Sequence, residues 1–432
     1  MFKLSKDFVS KYLQSEFIRN SLTLISGTAI AQFIGLLLTP ILTRYYTTED
    51  FGELSVFMSI SGILAVVATM RYEMAIVLPE KDEDAQSLVA LSFLITLIWS
   101  ALSLVAIILF SDLIIDYFEG ATEKGFLYLV PLVVLLLGLI QVLNYWSIRI
   151  KTYKNNAYAR IGNTLTNNGV SLCFGLFRVG SIGLILGFAL AQLASTAILA
   201  KQSYHSLKGA FHNFDWTHIK KNAKRYKNFP KINATHALVG SFQENGIVFF
   251  MKSLFGLSVL GSYSFAYRLL SLPSSFISGA ISQVLTEKAS KLVNQGESIK
   301  KLVLNIYKVV FLVGIPVFAT LFFFGPQLFA FVFSENYREA GELAQILAPW
   351  MFLNFVANSA SGIPIIYNRL SIPFLFTCID ITLKIFSIYI GWYFQSFKIG
   401  FTVMSISCSL LLLVTFVWIY SLISNPRLKR YE

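Results

Sequence analysis

Apolar stretches long enough to cross a membrane recur along the whole chain, and this constrains its fold more than any other feature. A membrane-crossing helix needs about 20 mostly apolar residues, and within lipid only helices and closed barrels satisfy every backbone hydrogen bond. About twelve such stretches can be read, at residues 20–42, 53–77, 86–110, 126–148, 161–178, 181–200, 234–254, 257–285, 303–325, 344–367, 371–393 and 399–423. The fifth and sixth are the most polar and the most closely spaced. Charged residues make up 13% of the chain, about half the roughly 25% usual in soluble domains. That excludes a soluble globular protein. The expected fold is an all-α integral membrane protein with about twelve transmembrane helices.

Charge follows the same alternation. With a cytoplasmic amino terminus, Arg44, Lys124, Arg178, Lys252, Arg338 and Lys398 fall on the outer side. Arg71, Arg268, Lys308 and Lys384 lie within segments, and the remaining 25 of the 35 Lys and Arg residues fall on the cytoplasmic side. This asymmetry is the positive-inside pattern and predicts that both termini are cytoplasmic. The net charge of +12 then reflects topology and attraction to anionic lipid heads rather than nucleic-acid binding. Residues 1–19 are polar and the apolar run after them is too long for a cleavable signal, so that run is expected to stay as a signal anchor. Cys173, Cys378 and Cys408 fall inside apolar segments and are not placed for a disulfide or zinc site.

The longest polar connection, 201–233, divides the segments six and six. The predicted organisation is an amino-terminal lobe at 1–205, a basic cytoplasmic linker at 206–232 and a carboxyl-terminal lobe at 233–432. Lys220, Lys221, Lys224, Arg225 and Lys227 are spaced for an amphipathic helix on the membrane surface. A short internal echo supports two parallel halves. Phe51-Gly52-Glu53-Leu54-Ser55-Val56 opens the second segment and Phe255-Gly256-Leu257-Ser258-Val259 opens the eighth. Tyr153-Lys154-Asn155 and Tyr367-Asn368-Arg369 likewise precede the fifth and eleventh. Six helices return the chain to its starting side, so the halves are expected to be pseudo-symmetric about an axis along the membrane normal.

Charges inside the segments are the candidate functional residues. A charge near the bilayer centre costs roughly 2.5–3.5 kcal/mol on insertion scales, and such residues mark pathways or sites. Arg268 lies about 16 Å into its helix at 1.5 Å per residue, five residues before Pro273, where a bend is expected. Glu244 has a comparable depth in the preceding segment. Two roles fit this couple: a structural ion pair between neighbouring helices, or side chains facing a cavity and answering to substrate or ion. Arg71 suits either an inner lipid head or a phosphate in a cavity, since its planar fork donates two parallel hydrogen bonds. Asp380 and Lys384, four apart on one helical face, neutralise each other or form an ion-coupling site. Lys308 is expected to snorkel to the inner lipid heads.

Asn163, Thr164, Thr166, Asn167 and Asn168 make the fifth segment too polar to face lipid. With Gln32, Gln243, Asn245, Asn354 and Asn358, they form interhelical hydrogen bonds or line a hydrated interior suited to sugars. All four histidines lie in or beside the 201–233 connection without metal-ligand spacing. No P-loop, GxSxG or CxxC pattern occurs, and no cofactor is expected.

The stretch Thr43-Arg44-Tyr45-Tyr46-Thr47-Thr48-Glu49-Asp50-Phe51-Gly52 resembles the Wzx-type flippases of polysaccharide biosynthesis, which move O-antigen and capsule repeat units. In that family an Arg precedes an acidic pair, an aromatic residue and Gly, matched here by Arg44, Glu49, Asp50, Phe51 and Gly52. The family's frequent Leu-Gly-Pro is Tyr46-Thr47-Thr48 instead. Arg71-Tyr72-Glu73-Met74-Ala75-Ile76 and Gly261-Ser262-Tyr263-Ser264-Phe265-Ala266-Tyr267-Arg268 also look like family segments. The resemblance implies the multidrug/oligosaccharidyl-lipid/polysaccharide exporter superfamily, with two lobes around a central cavity. It implies transport of an undecaprenyl-diphosphate-linked oligosaccharide from inner to outer leaflet of the bacterial cytoplasmic membrane.

By that analogy Arg268, Arg71 and Arg44 meet the diphosphate or acidic sugars, and Asn163, Asn167 and Gln32 serve the glycan. Glu244, Asp380 and Lys384 are then the candidates for coupling to protons or sodium. A polysaccharide polymerase and a chain-length regulator are the expected protein partners. Three rivals stand beside this reading, one of them a purely structural membrane scaffold, which would not need midplane charges. A drug or cation antiporter of the same superfamily would favour acidic and aromatic residues over arginines in its cavity. A membrane polysaccharide polymerase is disfavoured by the short outer loops and the lack of an acidic catalytic cluster.

Overall fold

The computed structural model describes residues 16–117, 124–212, 215–367, 369 and 371–424, and every regular element among them is a helix. The two tails, assigned to the cytoplasm by their charge, lie outside the described residues. The chain divides into two compact units. The first comprises Met1–Tyr46 and Glu53–Gly246, the second Thr47–Gly52 and Ile247–Glu432.

The first unit contains α1 (Glu16–Leu42), most of α2 (Thr48–Ala65), a 3-10 turn at Tyr72–Val77, α3 (Asp82–Tyr117), α4 (Val130–Arg149), α5 (Tyr153–Leu176), α6 (Ser181–His212) and α7 (Trp216–Arg225). α5 packs along both α1 and α6, while α3 and α6 flank α4. Leu88 and Val89 of α3 meet Val142, Leu143 and Trp146 of α4 and Leu199 of α6 in one buried cluster. Burial of this kind, at roughly 25 cal/mol per Å² in water, gives way in lipid to close packing and interhelical hydrogen bonds.

The second unit takes the remainder of α8 (Ala234–Pro273), a π-helical turn at Ser274–Ser278, α9 (Gly279–Asn294), α10 (Lys300–Phe333), α11 (Arg338–Asn358), α12 (Ser371–Tyr393) and α13 (Phe397–Ser424). α10 lies on α11, and α13 lies on both α11 and α12. Small residues bring α10 and α11 together: a Cβ on Gly325 would come 2.6 Å from the Gly341 carbonyl oxygen.

Two breaks shape the spans. α8 is interrupted at Gly256 (φ 82°, ψ −179°), a conformation nearly closed to residues bearing a Cβ. The boundary read between the seventh and eighth apolar segments falls on this glycine. The second break departs from the sequence reading, which runs one helix through 53–77. α2 instead ends at Ala65, Met70 and Arg71 take left-handed angles (φ 49° and 61°), and the chain resumes as the 3-10 turn. The cause lies in neighbouring helices. Trp99 Nε1 of α3 donates to the Leu64 carbonyl (2.9 Å), and Gln141 Nε2 of α4 donates to the Ala65 carbonyl (3.2 Å). Trp99 thereby serves a carbonyl at the helix end, and Gln141 shares the Ala65 carbonyl with the Ala68 amide (3.2 Å).

Eight stretches among the described residues are long and apolar enough to cross a membrane, so the protein is a multi-pass membrane protein. The sequence count of about twelve rests on dividing α8 at Gly256 and adding the more polar α2 and α5 together with α1.

α7 occupies the predicted amphipathic stretch. Asp215 caps it, accepting from the Thr217 amide at 2.8 Å. Its buried face, Ile219 and Asn222, docks on α3, where Asn222 Nδ2 donates to Asp84 Oδ1 (3.0 Å) and Ser87 Oγ (2.7 Å). The Tyr72 hydroxyl donates to the Ala223 carbonyl at 3.1 Å. Lys220, Lys221 and Lys224 remain exposed.

Candidate functional site

In the second unit α8, α11, α12 and α13 bring together a stack of rings that ends on an ion pair. Phe401 of α13 stacks on Tyr263 of α8 (5.2 Å, 15°), and Tyr263 stacks on Tyr267 one turn along (5.7 Å, 22°). Tyr267 then stacks on Trp350 of α11 (6.1 Å, 29°). Lys384 Nζ of α12 lies 5.0 Å from the centre of the Trp350 ring, a cation–π contact. The same ammonium pairs with Asp380 Oδ2 at 2.6 Å, and Cys408 of α13 faces that carboxylate. The two charged side chains are 13% and 17% exposed, so water or an ion can reach a pair that is otherwise walled by protein.

Sequence spacing identified Asp380 and Lys384, four residues apart on one helix. It missed Tyr263, Tyr267 and Trp350, which come from two other helices. Their signal was the Tyr-x-x-x-Tyr spacing just before Arg268, which sets both rings on one helical face.

Arg268 follows Tyr267 on α8. It is exposed. Five residues further on, Pro273 leads into the π-helical turn, an element that recurs at functional sites. Glu244 is an exposed residue of the part of α8 that belongs to the first unit.

The other candidates lie in the first unit. Arg44 is exposed in the turn after α1, whereas Arg71 follows the far end of α2. The 18 residues of α2 separate the two arginines by on the order of 27 Å, so they do not share one site. Arg71 is 27% exposed, and its Nη1 donates to Glu73 Oε1 at 3.4 Å. The carboxylate of Glu73 is fully buried. Neither the burial of Glu73 nor its contact with Thr69 was visible in the sequence.

Of the amides, Asn163 Nδ2 donates across to Gln192 Oε1 of α6 (3.2 Å), and Asn168 Nδ2 donates to its own helix at Thr164 O (2.8 Å). Asn167 is half-buried on α5, where its backbone carbonyl faces Gly187 of α6. Gln32 is half-buried on α1, the helix that packs on α5. Lys252, assigned by charge counting to the outer surface, is buried in α8.

The motif residues 47–52 belong to the second unit, Thr47 preceding α2 and Thr48–Gly52 opening it. Thr47 and Asp50 cap the helix reciprocally: the Thr47 amide donates to Asp50 Oδ2 (2.7 Å) and the Asp50 amide to Thr47 Oγ1 (3.2 Å). Phe51 is buried against Phe265 and Tyr337. Gly52 and Gly261 let the backbones of α2 and α8 touch, since a Cβ on Gly52 would meet the Leu257 carbonyl and one on Gly261 the Thr48 carbonyl.

Residues 41–342 match the family described as polysaccharide biosynthesis protein. No curated protein sequence matches the chain. Several solved structures share its fold. An inward-facing multidrug resistance MATE family transporter of the MOP superfamily aligns over 92% of this chain and 95% of its own, with a TM-score of 0.71 and 15% identity. The lipid II flippase MurJ, in an inward closed conformation, aligns over 92% of this chain and 89% of its own (TM-score 0.65, 15% identity). A MOP superfamily transporter from Pyrococcus furiosus aligns over 96% of both chains (TM-score 0.65, 14% identity). At these identities the likeness is one of fold.

Proposed function

The chain belongs to the polysaccharide biosynthesis protein family, and we propose that it flips an undecaprenyl-diphosphate-linked oligosaccharide from the inner to the outer leaflet of the bacterial cytoplasmic membrane. The cargo is an O-antigen, capsule or exopolysaccharide repeat unit, moved by alternating access and driven by an ion gradient. The family match across most of a transporter-fold chain carries this reading, and the likeness in fold to a lipid II flippase agrees with it.

Arg268 supplies the main phosphate contact, because an exposed guanidinium within a membrane-length helix can grip a diphosphate with paired charge-assisted hydrogen bonds. Arg44 and Arg71, at opposite ends of α2, meet the anionic head in succession. Asn163, Asn167 and Gln32 serve the sugars. Asp380, with Lys384 as its resident cation, is the favoured coupling carboxylate, and Glu244 is the alternative. The lobes are 1–205 and 233–432, joined by the basic linker 206–232, with both termini cytoplasmic. A polymerase and a chain-length regulator receive the product.

The test is surface polysaccharide in a deletion strain complemented at matched protein level by wild type, Arg268→Ala or Arg268→Lys. Deletion should abolish the polysaccharide and leave repeat units on the inner leaflet, and wild type alone should restore it fully. A deletion that spares the polysaccharide but sensitises cells to cationic drugs would replace this reading with a drug or cation antiporter. Unchanged gradient dependence in Glu244→Gln or Asp380→Asn removes that residue as the coupling site.

A further inference from the structure

Glu73 lies where α2 has given way to the 3-10 turn, and its side chain is completely buried. The Thr69 hydroxyl, itself fully buried, donates to Oε2. Among the described residues the cation in contact is Arg71, whose Nη1 stands 3.4 Å from Oε1, beyond the 2.7–3.2 Å of a good N–H···O bond. Arg71 Nε is also buried and lacks an acceptor. A neutral hydroxyl, its own backbone amide and one long guanidinium contact do not fully replace the hydration an ionised carboxylate gives up on burial, and a carboxyl group in that position takes a proton instead.

Among the described residues the surroundings add no second cation. On its own segment Glu73 has Arg71 and Tyr72. Tyr145 of α4 faces it with a phenol, a group that carries no positive charge. Arg149 of α4 is committed to the Ile76 and Pro79 carbonyls (3.1 and 2.7 Å) and to Asp82. On α3, Asp84 is held by Asn222 and His218, and Lys231 of the 229–233 turn is exposed. Met70 and Arg71, just before Glu73, both hold left-handed backbone angles. Such strain persists only where surrounding structure enforces it and is typical of switch segments.

We propose that Glu73 is a proton-binding site of the first unit, protonated in the conformation seen here and ionised when the 70–71 turn relaxes and brings the Arg71 guanidinium fully onto the carboxylate. Binding forms one O–H bond on the Glu73 carboxylate with a proton taken from water at the α7-capped end of the unit. Release returns that proton to water and leaves a carboxylate–guanidinium pair. The proposal concerns this carboxyl group alone and holds whatever cargo the protein carries.

The experiment is infrared difference spectroscopy of the full chain in lipid nanodiscs, titrated from neutral to alkaline pH. Wild type should show a protonated-carboxyl stretch at neutral pH that is absent from Glu73→Gln and retained in Arg71→Met. Glu73→Gln should melt at the wild-type temperature, because the amide mimics the protonated acid. If Glu73→Gln does not fold, Glu73→Asp provides the assignment by shifting the band. A spectrum without the band in wild type but with it in Arg71→Met would make Glu73 the ionised partner of a structural pair and overturn the proposal. A band indifferent to both Glu73 variants would belong to another carboxyl group and overturn it equally.

Discussion

Phe51, in the first turn of α2, packs edge-on against Phe265 of α8 with ring centroids 5.3 Å apart. Around that contact the capped turn 47–52 lies on α8 with backbone against backbone, and at Glu53 the chain passes from the second unit to the first. The Glu53 carboxylate then accepts from Ser181 Oγ within the first unit. The acidic–aromatic–glycine signature thus has a physical account: Asp50 caps the helix, Phe51 anchors it, and Gly52 permits the close approach.

Truncation of this anchor should be costly. Phe51→Ala is expected to lose about 3–5 kcal/mol, the usual range for a buried Phe. Gly261→Ala should lose about 1–3 kcal/mol by overpacking against Thr48. Melting in detergent and hydrogen exchange across 47–60 check both, and exchange unchanged in Gly261→Ala would show that the two helices can separate freely.

Arg149 should not be replaceable by lysine. Its guanidinium reaches the Ile76 and Pro79 carbonyls and Asp82 Oδ1 (2.8 Å) at once, a fork that one ammonium cannot reproduce. Arg149→Lys is expected to cost about 1.5–3 kcal/mol locally, read as at least tenfold faster amide exchange in 76–82. Exchange elsewhere in α4 should not change.

The Asp380–Lys384 pair predicts non-additive behaviour. Lys384→Met leaves the carboxylate without its ammonium, and Asp380→Leu strands the ammonium, each expected to cost about 2 kcal/mol. The double variant should recover much of that loss, because an apolar pair removes both desolvation penalties. Melting temperatures of the four proteins in one detergent give the coupling energy, and additive losses would mean that the pair contributes nothing.

α7 should loosen in acid. The Thr217 amide, followed by other contacts at the helix start, holds the Asp215 carboxyl below its ordinary value. A carboxyl group with a depressed folded value stabilises most above its unfolded value of about 3.9, and that contribution is lost as pH falls through the folded value. Fluorescence of exposed Trp216 should therefore report α7 fraying below about pH 4 in wild type, while Asp215→Asn should show no such transition.

Spacing within single segments announced a good deal of this protein. The Asp380–Lys384 pair is a local i, i+4 relation, the break in α8 falls on a glycine, and the basic helix α7 follows from its own periodicity. Membrane residence follows from the recurrence of apolar runs, because lipid leaves an unpaired backbone almost no other solution. Side chains from distant segments decided the rest. α2 stops at Ala65 because Trp99 and Gln141 take its carbonyls, Glu73 is buried because α3 and α4 close over it, and Tyr267 meets Lys384 through a tryptophan from a third helix. Such contacts join residues tens to hundreds of positions apart, and an apolar run looks the same in sequence whether its neighbour is lipid, a ring or a buried carboxylate. That difference appears only once the helices are packed.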